Sequence, residues 1–244
     1  MTQLPPITTA LPSVESPGLL GRGVPQDNFR ARFDEEHQLI KALGRQVDAV
    51  YAGDSLTASC PFQTLLADLF PIGLNRGVGG DSAHWFPKRL LADVTQLQPR
   101  LISFMIGTND IAHRFGHEDD TKILADYTAN MTVILDAFSA CGATCLIGTI
   151  PPSVPMFLEQ PFNDSQVRMQ ARKAALIPQM NAAVCKLVEE RSMQLVDYHA
   201  AMLTPEGIPD TTLYSDHCHF NAAGKLRMAQ ALRQVAEDRV IEQR

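Results

Sequence analysis

No apolar run in this chain of 244 residues approaches the roughly 18 that a membrane-spanning helix requires. No membrane span is therefore expected. Lys and Arg are scattered rather than clustered, and 21 of them against 27 Asp and Glu leave a formal net charge of -6. That balance argues against a nucleic-acid partner, which would need a basic face. Met1 to Gly23 is rich in Pro, Thr and Gly but lacks a basic segment followed by an apolar one, so it does not read as a secretory signal. Disulfide chemistry is equally unsupported. The five cysteines, Cys60, Cys141, Cys145, Cys185 and Cys218, are odd in number and irregularly spaced. They read as buried free thiols of a cytoplasmic protein. Cys141-Gly-Ala-Thr-Cys145 has neither the spacing of a redox centre nor a second pair to complete a zinc site.

What is present is an ordinary soluble composition, 45% hydrophobic and 20% charged, in a chain long enough to bury a full core. Residues 1–26 read as an extended arm in which Pro5, Pro6, Pro12, Pro17 and Pro25 prevent a long helix. Residues 27–244 read as one domain. Phe29, Phe33, His37, Ile40 and Leu43 recur at helical spacing up to Gly44. Val47 to Ala52 is then a short apolar run of the kind found in central strands of parallel sheets. A helix from about Ala58 to Leu69, ended by Pro71, leads to a second strand at Ile72 and the glycine-rich Gly77-Val78-Gly79-Gly80.

Asp81-Ser82 is positioned to cap a helix through Trp85, Leu90, Leu91 and Val94, which would make the Gly80 amides a natural anion site. Leu101–Ile106 and Thr144–Ile150 are the next strands, joined by an amphipathic helix from about Thr121 to Ala140. A long helix ending near Arg191 contains Pro178, which should kink or divide it. Leu195–Tyr198 is a fifth strand. A loop from His199 to Ser215 delivers Asp216-His217-Cys218-His219, and Asn221 caps a final helix to about Ile241. Alternating strand and helix is the pattern of a doubly wound α/β domain.

The ends of the strands carry Ser55, Gly80 and Asn109, and the last long loop carries Asp216 and His219. In a sheet of order 2-1-3-4-5 the first three strands are neighbours, and these residues share one crevice at the carboxyl edge. Taken alone, Gly53-Asp54-Ser55 is an ordinary helix cap. Taken together, the five residues supply the parts of serine ester hydrolysis. Ser55 is the nucleophile, His219 the base and Asp216 the group that holds the imidazole. Oxyanion donors are the Ser55 amide, the Gly80 amide and the Asn109 side chain. The Asp-x-x-His spacing puts both side chains on the same side of one helical turn.

Gly53-Asp54-Ser55-Leu56, Asn75-Arg76-Gly77-Val78-Gly79-Gly80-Asp81, Gly107-Thr108-Asn109-Asp110 and Asp216-x-x-His219 resemble the ordered blocks of the SGNH (GDSL) hydrolase family. The similarity covers roughly Val47 to Gly224. In wording it is nearest to the branch of platelet-activating-factor acetylhydrolase-like enzymes and bacterial acetylesterases. The resemblance implies a flavodoxin-like three-layer α/β/α sandwich with a parallel five-stranded sheet and an esterase or lipase activity needing no cofactor and no metal. It also implies Ser55, Gly80, Asn109 and His219 as defining residues, with Asp216 completing the triad.

The expected partner is a small-molecule ester with a short, acetyl-type acyl group, and the sequence is compatible with a homo-oligomer. Candidates for the substrate pocket are Asp54, Trp85 (with His84 and Phe86), Phe115, Phe157 and Phe220. Two rivals stand beside this reading. A nucleotide or flavin-binding doubly wound protein would use Gly77–Gly80 as its phosphate loop, but a Gly-x-Gly-x-x-Gly pattern from Gly77 ends on Ser82 and fails. A catalytically silent binding module would keep the fold without the chemistry. His217-Cys218-His219 as a metal ligand set is weaker, because Asp216 already claims His219, and His217 is expected to point to solvent.

Overall fold

The computed structural model describes residues 11–16, 30–114, 116, 118–154 and 164–242. Five strands, β1 (Ala49–Gly53), β2 (Gly73–Gly77), β3 (Leu101–Met105), β4 (Thr144–Gly148) and β5 (Gln194–Val196), form a parallel sheet in the order β2-β1-β3-β4-β5. β1 and β3 are buried along their whole length, which is why they read as unbroken apolar runs. The strand period of two separates their side chains. Val50, Ala52, Ile102 and Phe104 enter one hydrophobic cluster, while Ala49, Tyr51, Leu101 and Met105 enter another on the opposite face.

Helices cover both faces and make the three-layer sandwich. On the first side lie α1 (Arg30–Ala42), α4 (Leu90–Asp93), α6 (Asp120–Ala140) and α7 (Asp164–Glu190). Phe86, Phe104 and Phe138 meet there, with ring centroids 4.5 to 6.2 Å apart. On the second side lie α2 (Ser55–Ser59), α3 (Phe62–Leu65), α8 (Tyr198–Ala201) and α9 (Ala222–Glu242), contributing Leu56, Phe62, Tyr198, Met228 and Leu232. The short α5 (Thr108–Ala112) stands at the carboxyl end of β3 and packs on α6 and α7. Asn221 caps α9 as expected, its Oδ1 accepting from Ala223 N at 2.9 Å and Gly224 N at 3.1 Å.

Several elements differ from the sequence reading. The helix expected from Ala58 to Leu69 is two short pieces, α2 and α3, because Pro61 breaks it and Cys60 turns extended (ψ 120). No continuous helix follows Asp81-Ser82. Pro87 sits in a 3₁₀ turn, Phe86–Lys88, followed by α4 and a second 3₁₀ turn, Thr95–Leu97. Pro178 neither ends nor divides α7. Leu176, Ile177 and Met180 around it are buried, and that packing outweighs the one backbone bond a proline removes.

Tyr198 belongs to α8 rather than to the fifth strand, because Asp197 caps that helix by accepting from Ala200 N. The stretch to Ser215 accordingly holds α8 and a 3₁₀ turn, Thr211–Leu213, capped by Asp210. Of the N-terminal arm, residues 11–16 are described. They have no regular structure and are held where Gln96 exchanges two hydrogen bonds with the Glu15 backbone and Lys41 donates to the Ser13 carbonyl. Phe29, Phe115 and Phe157 lie outside the described residues.

Gly77 shows how closely α2 lies on β2. A Cβ there would stand 2.2 Å from Ala58 N and 2.6 Å from its Cα, both backbone atoms. Gly77→Ala is expected to cost about 1–3 kcal/mol by overpacking. A urea denaturation midpoint equal to that of the wild type would contradict this account.

Candidate active site

β1 delivers its last residue, Gly53, at φ +152, where a Cβ would meet the Met105 carbonyl at 2.2 Å. The chain can therefore turn sharply off the sheet only with glycine here. Asp54 then caps α2, accepting from Leu56 N at 3.0 Å, and Ser55 becomes the first residue of that helix. Five residues are too few for a self-supporting helix. Asn75 on β2 holds it instead, its Nδ2 donating to the Thr57 and Cys60 carbonyls, both at 2.9 Å, while its Oδ1 accepts from Gly77 N.

The glycine loop and β3 approach from either side. Gly53 pairs in register with Gly77 on β2 and with Met105 on β3, so Ser55, Gly80 and Asn109 stand two, three and four residues past one level of the sheet. Gly80 takes φ +76 in the turn that follows β2. Asn109 Nδ2 donates to the Asp81 carbonyl at 2.8 Å, which fixes its amide orientation and leaves a second N–H. After Gly80 the chain reaches only the 3₁₀ turn at Phe86–Lys88 and the four-residue α4, so no helix N-terminus adjoins the loop as a dinucleotide site would require.

Behind the loop lies a buried ion cluster. Arg89 is wholly buried and spends its donors on Asp81 (2.8 Å), Asp93 (2.9 Å) and the carbonyls of Arg76 (3.0 Å) and Gly53 (3.2 Å). It thus ties the ends of β1 and β2 to the start of the loop. The sequence reading gave Arg89 and Asn75 no role. Their signals were an arginine embedded in an apolar stretch with an aspartate four residues on, and an asparagine inside a strand.

From the other side the segment after the 3₁₀ turn brings in Asp216 and His219. His219 Nε2 lies 3.0 Å from Ser55 Oγ, and its Nδ1 lies 2.8 Å from Asp216 Oδ2. The predicted proximity holds but not through a helical turn. Residues 216–219 form an irregular bend in which Asp216 Oδ1 accepts from the Cys218 and His219 amides, both at 2.7 Å. Burial pushes the Asp216 carboxyl up, yet these amides and the His219 ring outweigh it and leave it below its ordinary value. A carboxylate on Nδ1 sets the tautomer that points a bare Nε2 at the serine.

Asp54 and Asp110 behave oppositely. Burial pushes each up to about 7, although Leu56 N and Ala83 N donate to them. The folded chain thus keeps protons on these acids that an unfolded aspartate, at 3.8, has already released. Their contribution to stability is whole below about pH 4 and is lost as pH rises through 7. Asp54→Asn should flatten that decline, measured as urea midpoints across pH 4 to 8; an unchanged slope would refute it.

The pocket candidates divide. Asp54 is fully buried under the serine turn and faces no pocket, since capping α2 takes it inward. Phe220 is core, edge-on to Tyr214 at 4.9 Å, and Phe86 is core also. Trp85 is half-buried, with Lys88 Nζ 4.0 Å over its ring and His84 edge-on. His217 is half-buried, and its backbone carbonyl accepts from Val154 N at 3.0 Å.

A match to the GDSL-like lipase/acylhydrolase family spans residues 51–227. Among solved structures, a GDSL-like lipase from Bacteroides thetaiotaomicron is 20% identical, with a TM-score of 0.66 over 85% of this chain and 97% of that one. A Streptococcus pneumonia protein named for platelet activating factor is 18% identical, with a TM-score of 0.69 over 87% of this chain and 92% of that one. An acetylxylan esterase from Geobacillus stearothermophilus is 21% identical, with a TM-score of 0.56 over 78% of this chain and 94% of that one. No curated protein matches.

Proposed function

We propose, on the premise that this chain belongs to the GDSL-like lipase/acylhydrolase family and is a carboxylic ester hydrolase, that it cleaves short-chain, acetyl-type esters through Ser55, His219 and Asp216. The observation that carries the reading is the unbroken relay from Ser55 Oγ to His219 Nε2 at 3.0 Å and from His219 Nδ1 to Asp216 at 2.8 Å. In the first step Ser55 Oγ attacks the acyl carbonyl while His219 Nε2 takes its proton. The Ser55 amide, the Gly80 amide and the second N–H of Asn109 then receive the oxyanion. His219 returns the proton to the leaving alcohol, and the acyl group stays on Ser55. Water, deprotonated by the same nitrogen, attacks the acyl-enzyme and frees the acid.

Asp216 remains ionised throughout, consistent with a carboxyl held low by two amides. The acetyl preference is supported by the acetylxylan esterase among the similar structures. The test is hydrolysis of 4-nitrophenyl esters from acetate to palmitate by wild type and Ser55→Ala. Wild-type activity should be greatest at acetate and vanish in the variant. Activity that survives Ser55→Ala would overturn the nucleophile, and a maximum at long chains would overturn the acyl preference.

A further inference from the structure

Ser55 stands on α2, whereas its base arrives on a separate segment, and the side chains of His219 and Asp216 are 42% and 43% exposed. Burial alone therefore does not place them. The bend keeps its own shape, because Asp216 Oδ1 accepts two amides and Ser215 N donates to the His219 carbonyl at 2.8 Å. Those bonds lie within residues 215–219 and cannot set where the bend stands relative to Ser55. The 3.0 Å between His219 Nε2 and Ser55 Oγ needs a reference outside the bend.

Two hydrogen bonds tie this region to the segment that follows β4. Tyr214 Oη donates to the Pro152 carbonyl at 2.6 Å, and Val154 N donates to the His217 carbonyl at 3.0 Å. That segment is a firm reference. Asn181 on α7 accepts from Ile150 N at 2.7 Å and donates to the Ile150 carbonyl at 2.9 Å, and Pro151-Pro152 restrict φ at two successive positions. β4 pairs with β3, and β3 with β1, whose last residue opens the turn to Ser55. Nucleophile and base are thus referred to one sheet.

Tyr214 supplies the side chain in that link. It is 3% exposed, its ring lies edge-on to Phe220, and its backbone forms an antiparallel bridge with the same residue. It therefore stands at the closed base of the bend, two residues before Asp216. The ring can pack on Phe220 with or without its hydroxyl, whereas only the hydroxyl selects the Pro152 carbonyl. A short O–H···O bond fixes distance and direction, which apolar packing, being non-directional, does not.

We propose that Tyr214 is a positioning residue for ester hydrolysis, its hydroxyl setting, through the Pro152 carbonyl, the bend that presents His219 Nε2 to Ser55. This rests on the esterase reading above and adds a residue that touches neither the substrate nor the reacting atoms.

Tyr214→Phe keeps the ring and removes the bond. With 4-nitrophenyl acetate, kcat should fall about ten- to a hundredfold while KM moves by less than about twofold, since a slightly misplaced base penalises the transition state and not ground-state binding. A purely structural tyrosine would lower the urea midpoint and leave the kcat of folded protein unchanged. Amide hydrogen exchange followed by NMR reads the tether without turnover. The Val154 N–H, which bonds the bend, should exchange about tenfold faster in Tyr214→Phe, while β1 and β3 keep wild-type protection. Wild-type exchange at Val154 in the variant, or a wild-type kcat where the parent enzyme is active, would overturn the proposal. Faster exchange in a protein whose wild type cleaves no ester through Ser55 would support the tether and overturn the esterase reading alone.

Discussion

Replacing His219 by alanine is expected to lower kcat for ester hydrolysis by about 10⁴-fold or more, and adding Ser55→Ala is expected to cost little beyond that. The reason lies in how the three side chains are joined. In the proposed mechanism Ser55 Oγ is a weak nucleophile until His219 Nε2, 3.0 Å away, accepts its proton, and Asp216, 2.8 Å from Nδ1, aims the imidazole. Removing either partner leaves the other with no task. Independent contributions would multiply; a single relay fails as a unit. Steady-state kinetics of His219→Ala, Ser55→Ala and the double variant decide the matter, and losses that multiply would show that the two side chains act separately.

Arg89→Met is expected to destabilise the protein by about 3–5 kcal/mol, the usual cost of leaving buried carboxylates without their counter-charge. Asp81 and Asp93 are both buried, and each bonds the guanidinium within 3 Å. The substitution also frees the Gly53 and Arg76 carbonyls. Arg89→Lys should recover little, because a point charge cannot serve two carboxylates and two carbonyls that lie in different directions. Adding Asp81→Asn and Asp93→Asn should restore part of the loss. Urea denaturation gives each value, and a wild-type midpoint for Arg89→Met would contradict the role assigned to the cluster.

What the sequence discloses and what it hides follow the range of the interactions involved. The buried runs at Val47 and Leu101 announce central strands because both faces of each are covered, and the glycines after them announce turns that few other residues can make. Ser55, Asn109, Asp216 and His219 are legible because each follows a short apolar or turn signal. Arg89 is only half legible, since its apolar surroundings and the aspartate four residues on point to burial but not to what it ties together. Its partners come from positions 53, 76, 81 and 93.

The course of α7 through Pro178 is hidden for the same reason, being decided by what covers Leu176, Ile177 and Met180. The contact between Asp216 and His219 was legible from spacing, but its means was not. A helical turn and an Asp accepting from two amides bring the same pair together.

The bond between Ser55 and His219 closes a gap of 164 residues. At ribosomal speeds of about 5–20 residues per second, the serine waits roughly 10–30 s for its base to be made. Through that interval the nascent chain would carry the proposed nucleophile with no base to activate it. Under the proposed mechanism, then, the order of synthesis alone keeps the growing polypeptide from attacking esters while its sheet is still being assembled.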